Sequence, residues 1–282
     1  MSAIYNLMDA MLPQSVFGLA FMKNALLALL LLTPLLALIG TMAVNRRMAF
    51  FSDALGHSAL AGVGLGVLLG LQDLTLVLLI FGLLFALFIS YINRRGGASA
   101  DTNISVFSST GIALGLALLS GGGNFGRYSS LLVGDVLAIT TKDLLSLALL
   151  FLFGIAIWLL VYNKLLLSAL NPSLAQSRGI RTVLVENLFV CLVAAAVMLS
   201  IRWVGILLIN ALLILPAAAA RNVARSVPQH TLLSVVFSLF SGVAGLVLAF
   251  QLGTSVGAAV VLCAAALYFI SYLARFFLKR NQ

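Results

Sequence analysis

Charged residues are few in this chain: Asp, Glu, Lys and Arg make up only 8% of its 282 residues, while 63% are hydrophobic. A soluble domain carries roughly 25% charged residues, so the composition excludes an ordinary soluble protein and points to the membrane. Histidine is scarcer still. His57 and His230 are the only two, which leaves no H-E-x-x-H motif for an intramembrane metalloprotease and no Ser–His pair at matching depth, so an enzyme is not expected. His230 follows SVPQ between two apolar runs and reads as a solvated loop residue. The two cysteines, Cys191 and Cys263, both lie inside apolar runs, where a thiol behaves as a small hydrophobe and a disulfide framework is not expected. No lysine follows a glycine. The chain therefore has no G-x-x-x-x-G-K-[ST] phosphate loop, and any ATP dependence belongs to a partner.

Long apolar runs are what the chain has instead. They lie near residues 18–44, 50–71, 74–92, 104–120, 144–162, 183–201, 203–220, 230–250 and 255–276, each close to the ~20 residues that cross about 30 Å of hydrocarbon. The expected fold class is an all-α polytopic membrane protein with about nine transmembrane helices. Sorting the basic residues by alternate loops puts twelve on one side: Arg46, Arg47, Arg94, Arg95, Lys164, Arg178, Arg181, Arg221, Arg225, Arg275, Lys279 and Arg280. Lys23, Arg127, Lys142 and Arg202 fall on the other. By the positive-inside rule the twelve face the cytoplasm, with the N-terminus outside and the C-terminus inside. The net charge of +9 is then a topology signal, and no nucleic-acid partner is expected. Residues 1–17 have no Lys or Arg and place Ile4, Met8, Met11 and Leu12 at helical spacing, which suits an interfacial helix better than a cleaved signal peptide.

One span opens on an unusual pair. RRMAFFSDALGHSALAGVGLG, residues 46–66, sets Asp53 and His57 four residues apart. On a helix such side chains stack on one face, and a carboxylate beside a neutral imidazole suits zinc, manganese or ferrous iron. An Asp–His hydrogen bond that only orients helices fits the same spacing. Ser58, Gly62, Gly66 and Gly70 form a small-residue row beside the pair, along which a neighbouring helix can approach closely.

Other candidates lie along the rest of the chain. Asp135, in LVGDVLAIT, either lines the outer part of a pathway on a re-entrant piece or caps a helix. Glu186 falls in the first turn or so of a span, where an acid complements the helix dipole. Asn210 and Pro216 suit a hinge or plain helix packing. SGGGNFGRYSS, residues 120–130, reads as a flexible outer loop. The longest polar insertion, NKLLLSALNPSLAQSRGIRT at 163–182, offers Asn171 as a cap, Pro172 as first helical residue and Gly179 as a stop. It is either a solvated connector or a docking helix for a cytoplasmic subunit.

Four stretches, RRMAFFSDALGHSALAGVGLG, YSSLLVGDVLAIT, LNPSLAQSRGI and VGILLINALLILPAAAARNVA, resemble in order and spacing the ABC-3 permeases of bacterial zinc and manganese ABC importers. The resemblance runs over roughly residues 18–275. It implies a permease subunit of an ATP-dependent divalent metal importer (zinc or manganese, with iron a third option) in the bacterial plasma (inner) membrane. The partners it implies are a second permease copy, a cytoplasmic ABC ATPase and an extracytoplasmic metal-binding protein, with the metal as substrate and no permanent cofactor. On this resemblance residues 18–276 form the permease domain, between the interfacial segment 1–17 and a cytoplasmic tail 277–282. Asp53, His57 and Asp135 become metal-pathway candidates, and segment 170–180, with Asn171, Pro172, Ala175, Gly179 and Ile180, resembles the helix that couples to the ATPase. One stretch departs: GTSVGAAVVL, residues 253–262, resembles a family stretch that usually has Pro near the position of Val256. Two other transport classes compete. An ion-coupled secondary transporter works without an ATPase and has no need of segment 170–180, and a cobalamin or siderophore permease has no need of a metal-ligating Asp–His pair.

Overall fold

The computed structural model describes residues 17–71, 73–97, 99–121 and 134–280, together with Tyr5, Met8 and Gly126. Most of the interfacial segment expected at 1–17 and most of the loop at 120–130, Arg127 included, lie outside the described residues. In chain order the helices are α1 (Ala20–Asn45), α2 (Ala49–Leu68), α3 (Leu74–Arg95), α4 (Ala100–Gly121), α5 (Thr141–Leu170), α6 (Pro172–Ser177), α7 (Thr182–Val204), α8 (Ile206–Val223), α9 (Val227–Leu252) and α10 (Val256–Arg280), with a short 3-10 turn at Val136–Ala138. Among the described residues all of these except α6 and the 3-10 turn are long and apolar enough to cross a membrane, nine helices in all. No strand occurs among them. Hydrocarbon offers no hydrogen-bond partner to a peptide group, so a spanning segment of this composition satisfies its backbone internally as a helix.

Local chemistry sets the helix ends. The Asp73 carboxylate accepts from the amides of Thr75 at 3.0 Å and Leu76 at 3.3 Å to start α3, and Arg94 and Arg95 occupy its last turn, where cations complement the helix dipole. Ser226 caps α9, with Pro228 in the first turn, and Gly253 ends it in the left-handed conformation. Val256 is the first residue of α10. Proline is favoured there because its missing N–H is one the helix leaves unused, so valine in its place costs the ladder nothing. The helix continues past the end of the apolar run near 162 as far as Leu170, giving α5 30 residues and a length of about 45 Å. The KLLLSAL sequence at 164–170 sustains the helical turn, with Leu165 and Ser168 buried.

The chain divides into two units, described separately. One comprises Met1–Thr41, Val133–Leu152 and Trp203–Gln282. Here Gly40 of α1 lies against the Leu213 carbonyl of α8 with no room for a Cβ. Ser238 Oγ of α9 donates to the Thr33 carbonyl of α1 at 2.9 Å, and Asn222 Nδ2 of α8 donates to Ser271 Oγ of α10 at 3.0 Å. His230 corrects the sequence expectation: it sits in the first turn of α9, only 5% exposed, with Nε2 2.9 Å from the Ala217 carbonyl of α8. The α9 helix begins earlier than the apolar run, because Ser226 and Pro228 start it ahead of the first leucines.

The other unit comprises Met42–Leu132 and Phe153–Arg202. At its centre α2 is the least hydrophobic of the nine spanning helices and yet the most buried. Its most extensive partner is α4. A Cβ on Gly111 of α4 would meet Ser58 Cβ at 2.7 Å and Ser58 Cα at 2.9 Å, and one on Gly115 would meet the Leu60 carbonyl carbon at 2.6 Å. Such approach is what small residues permit between helices. Of the row read from sequence, Ser58 faces this seam, whereas Gly62 and Gly66 seat Phe81 and Val77 of α3. Gly70 lies beyond the end of α2 in a left-handed turn and belongs to no row.

Candidate functional site

Asp53 and His57 project from the first half of α2, with Asp53 Oδ1 3.4 Å from His57 Nε2. That contact is at the long end of hydrogen bonding and lies within one helix, so it does not of itself orient α2 against a neighbour. The side chains are 44% and 31% exposed, in contrast with Ala54, Leu55, Ser58 and Ala59 around them, which are fully or almost fully buried. The packing that buries α2 therefore runs mainly through its other faces and leaves these two side chains partly exposed.

A cavity of about 400 Å³ opens beside Asp53, lined also by Phe50, Asp101, Ile104, Ser105, Ser108 and Ser109. The last five belong to α4, where Asp101, Ser105, Ser108 and Ser109 recur at helical spacing on one side. Each water takes about 30 Å³ of liquid volume, so the space holds on the order of ten waters and admits an ion with part of its hydration shell. Carboxylate and hydroxyl oxygens line it, and the His57 imidazole reaches it through Asp53; oxygen and imidazole donors together suit a divalent ion of borderline hardness. Asp101 and the serines were not singled out from sequence. Their signal was present as D-x-x-x-S-x-x-S-S in ADTNISVFSS, but placing the start of the apolar run at 104 assigned Asp101 to a loop; α4 begins at Ala100.

Asp135 belongs to the other unit. Its carboxylate accepts from the Leu137 amide at 3.1 Å and caps the Val136–Ala138 turn, the capping reading of the two. Among the described residues no cluster of three or more His, Cys, Asp or Glu side chains forms, so one chain brings Asp53 and His57 together and no third such ligand. Zinc takes four ligands in most structural sites and three protein ligands in most catalytic ones.

Within the polar insertion, residues 163–170 complete α5 and Pro172–Ser177 form the short helix α6. Asn171 Oδ1 accepts from the Leu174 amide at 3.0 Å, and Pro172 is the first helical residue. Gly179, at φ +73°, lets the chain reverse so that its amide reaches the Gln176 carbonyl at 2.9 Å and the Ile180 amide reaches the Ala175 carbonyl at 3.0 Å. Ala175 is fully buried and seats the helix, whereas Leu170 and Leu174 are exposed. Beside it lies a groove of about 490 Å³ lined by Leu166, Leu167, Leu170, Lys164, Arg178 and Ile180 among others.

Glu186, four residues into α7, does more than face a helix dipole. Its carboxylate takes Arg46 Nη2 at 2.9 Å on one oxygen and lies 3.8 Å from Arg94 Nη1 on the other, while Arg94 Nη1 also donates to Asn187 Oδ1 at 2.8 Å.

This arrangement has relatives. A family model described as the ABC 3 transport family matches residues 18–275. The high-affinity zinc uptake system membrane protein ZnuB of Haemophilus influenzae is 31% identical over 252 residues, covering 89% of this chain and 96% of that protein. The manganese import system permease protein ScaB of Streptococcus parasanguinis is 30% identical over 252 residues, covering 89% and 90%. Among solved structures, a chain of PsaBC from Streptococcus pneumoniae in complex with Fab superposes over 100% of both chains with a TM-score of 0.81 at 27% identity. With nine apolar helices, a family match over nearly its whole length and relatives of this similarity, the chain is a multi-pass membrane protein that belongs to the ABC 3 transport family.

Proposed function

We propose that this chain is the permease subunit of an ATP-dependent importer of zinc or manganese in the bacterial inner membrane. The observation that carries the reading is the Asp53–His57 pair on the most buried of the spanning helices, with Asp53 lining a cavity that also holds Asp101 and three serines. An ionisable side chain at membrane depth costs at least a few kcal/mol unless water, protein or a substrate compensates it. The side chains of Asp53, Asp101, Ser105 and Ser109 stand partly or largely exposed on helices built to span a membrane, so lipid is not the medium for that face. A water-filled pathway between two permease copies meets the requirement. Each copy supplies two ligands, and two copies supply the four that a divalent ion such as zinc commonly takes.

Names of relatives favour the same cargo: ZnuB is named for zinc uptake and ScaB for manganese import. In this reading residues 18–276 form the permease domain, Asp135 belongs to its outer part, and a separate binding protein delivers the ion from outside. A cytoplasmic ATPase docks on segment 170–180, with Asn171, Pro172, Gly179 and Ile180 shaping the docked helix and Ala175 anchoring it from beneath. The twelve-to-four bias of basic residues supports a cytoplasmic location for that segment and for the C-terminus. Uptake by the complex reconstituted with its ATPase and binding protein is the test. Transport of zinc or manganese that requires ATP, and that the other metal suppresses by competition, is expected; ATP-independent accumulation driven by an ion gradient would return the chain to the secondary-carrier class.

A further inference from the structure

The importer reading requires a mechanical path from the docked ATPase to the metal pair, and one guanidinium stands on that path. Arg46 lies in the turn between α1 and α2, seven residues before Asp53. Its two terminal nitrogens part company: Nη1 donates to Ser168 Oγ at 3.3 Å and Nη2 to Glu186 Oε1 at 2.9 Å. Ser168 is two residues from the end of α5, and Glu186 is near the start of α7. These are the two flanks of α6. Ser168 Oγ donates its own hydrogen bond to the Leu165 carbonyl at 2.9 Å, so it serves Arg46 as an acceptor. Arg46 is 16% exposed and Glu186 26%, which shields the pair from solvent screening more than a surface ion pair.

The other end of the path is equally short. Arg46 is tied to α1 by its amide on the Met42 carbonyl at 2.9 Å, and the Met48 amide closes back on Ala43 at 2.8 Å. Arg47 between them takes φ +57°. The turn is thus pinned by backbone bonds, and α2 begins at Ala49. A displacement of α6 moves both its flanks, both flanks hold one planar fork, and that fork belongs to the turn from which Asp53 and His57 rise.

Resting on the importer reading, we infer that Arg46 is a positioning residue that transmits movement of the α6 segment to the metal-binding pair by clamping Ser168 and Glu186 at once. Lysine keeps the charge but offers one compact ammonium in place of a rigid fork, and so holds one flank at the expense of the other. Arg94 stays on Glu186 in either case, which keeps that carboxylate paired.

The test is metal taken up per ATP hydrolysed, measured in proteoliposomes holding the permease with its ATPase and binding protein, with manganese alone and zinc alone as cargo. For Arg46→Gln this ratio is expected to fall about tenfold, within the span of ordinary coupling free energies, while hydrolysis continues. Arg46→Lys and Ser168→Ala are expected to fall less, in that order. A merely structural role lowers uptake and hydrolysis together with the amount of assembled complex and leaves the ratio unmoved; that result, or a wild-type ratio in all three variants, overturns the inference. Should Arg46→Gln fail to assemble, the same ratio in Arg46→Lys and Ser168→Ala decides. If the unmodified complex takes up metal without hydrolysing ATP, the importer reading itself fails first.

Discussion

Replacing Asp53 by Asn or His57 by Ala separates a metal site from a packing motif because the two roles have different costs here. Both side chains are partly exposed, and neither enters the seam where Gly111 and Gly115 of α4 meet Ser58 and Leu60 of α2. Substitutions away from core packing usually stay within about 0.5 kcal/mol of neutral, so the helix bundle and its yield in membranes are expected to survive. Loss of a direct ligand is a larger matter. Removing groups that only support a metal's ligands already costs roughly 10–100-fold in affinity or activity, about 1.4–2.7 kcal/mol, and in a permease pair each substitution strikes both copies. Uptake of zinc or manganese per assembled complex is therefore expected to fall at least tenfold in each variant, as measured by flux into proteoliposomes normalised to purified complex. Acidification acts on the same atoms: a proton on His57 occupies the lone pair that a metal needs, so binding weakens as pH falls. A Gly111→Val control should behave in the opposite way, since its side chain collides with Ser58 and forces α2 from α4, lowering the amount of complex rather than the flux per complex. Full flux per complex in both Asp53→Asn and His57→Ala would refute the reasoning and remove the pair from the pathway.

Two further outcomes are expected. In a background without Cys191 and Cys263, Gly126→Cys should react with an impermeant thiol reagent from outside and Gly97→Cys only from the cytoplasmic side; the reverse labelling would invert the orientation drawn from the basic residues. Gly179→Val should leave the permease inserted but weaken its hold on the ATPase. The left-handed φ at Gly179 costs a branched residue about 1–2 kcal/mol, a factor of roughly 5–30 in the population of the closed α6 turn, and co-purification of the ATPase measures it. Unaltered recovery together with unaltered uptake would make 170–180 a plain connector.

What sequence made legible depended on whether a feature was local. The nine spans are runs of apolar residues, and the Asp53–His57 pair is a spacing of four on one helix, so the first follows from run length and the second from helical spacing. The α6 turn is equally local: Asn171 reaches the Leu174 amide three residues on, and Gly179 needs only its own φ. Partners drawn from distant segments were invisible. Glu186 reads as a dipole acid until Arg46 and Arg94, 140 and 92 positions away in the chain, arrive beside it. His230 reads as a loop residue until Ser226 starts its helix early and carries the imidazole to the Ala217 carbonyl. Asp101 illustrates the intermediate case, since its serine stripe is periodic but falls across the boundary where hydropathy rises. The polar residues that periodicity explains lie along a single helix and suit the handling of an ion; those it misreads join helices to one another, and the fork of Arg46, which joins both flanks of α6 to the start of α2, belongs to that second class.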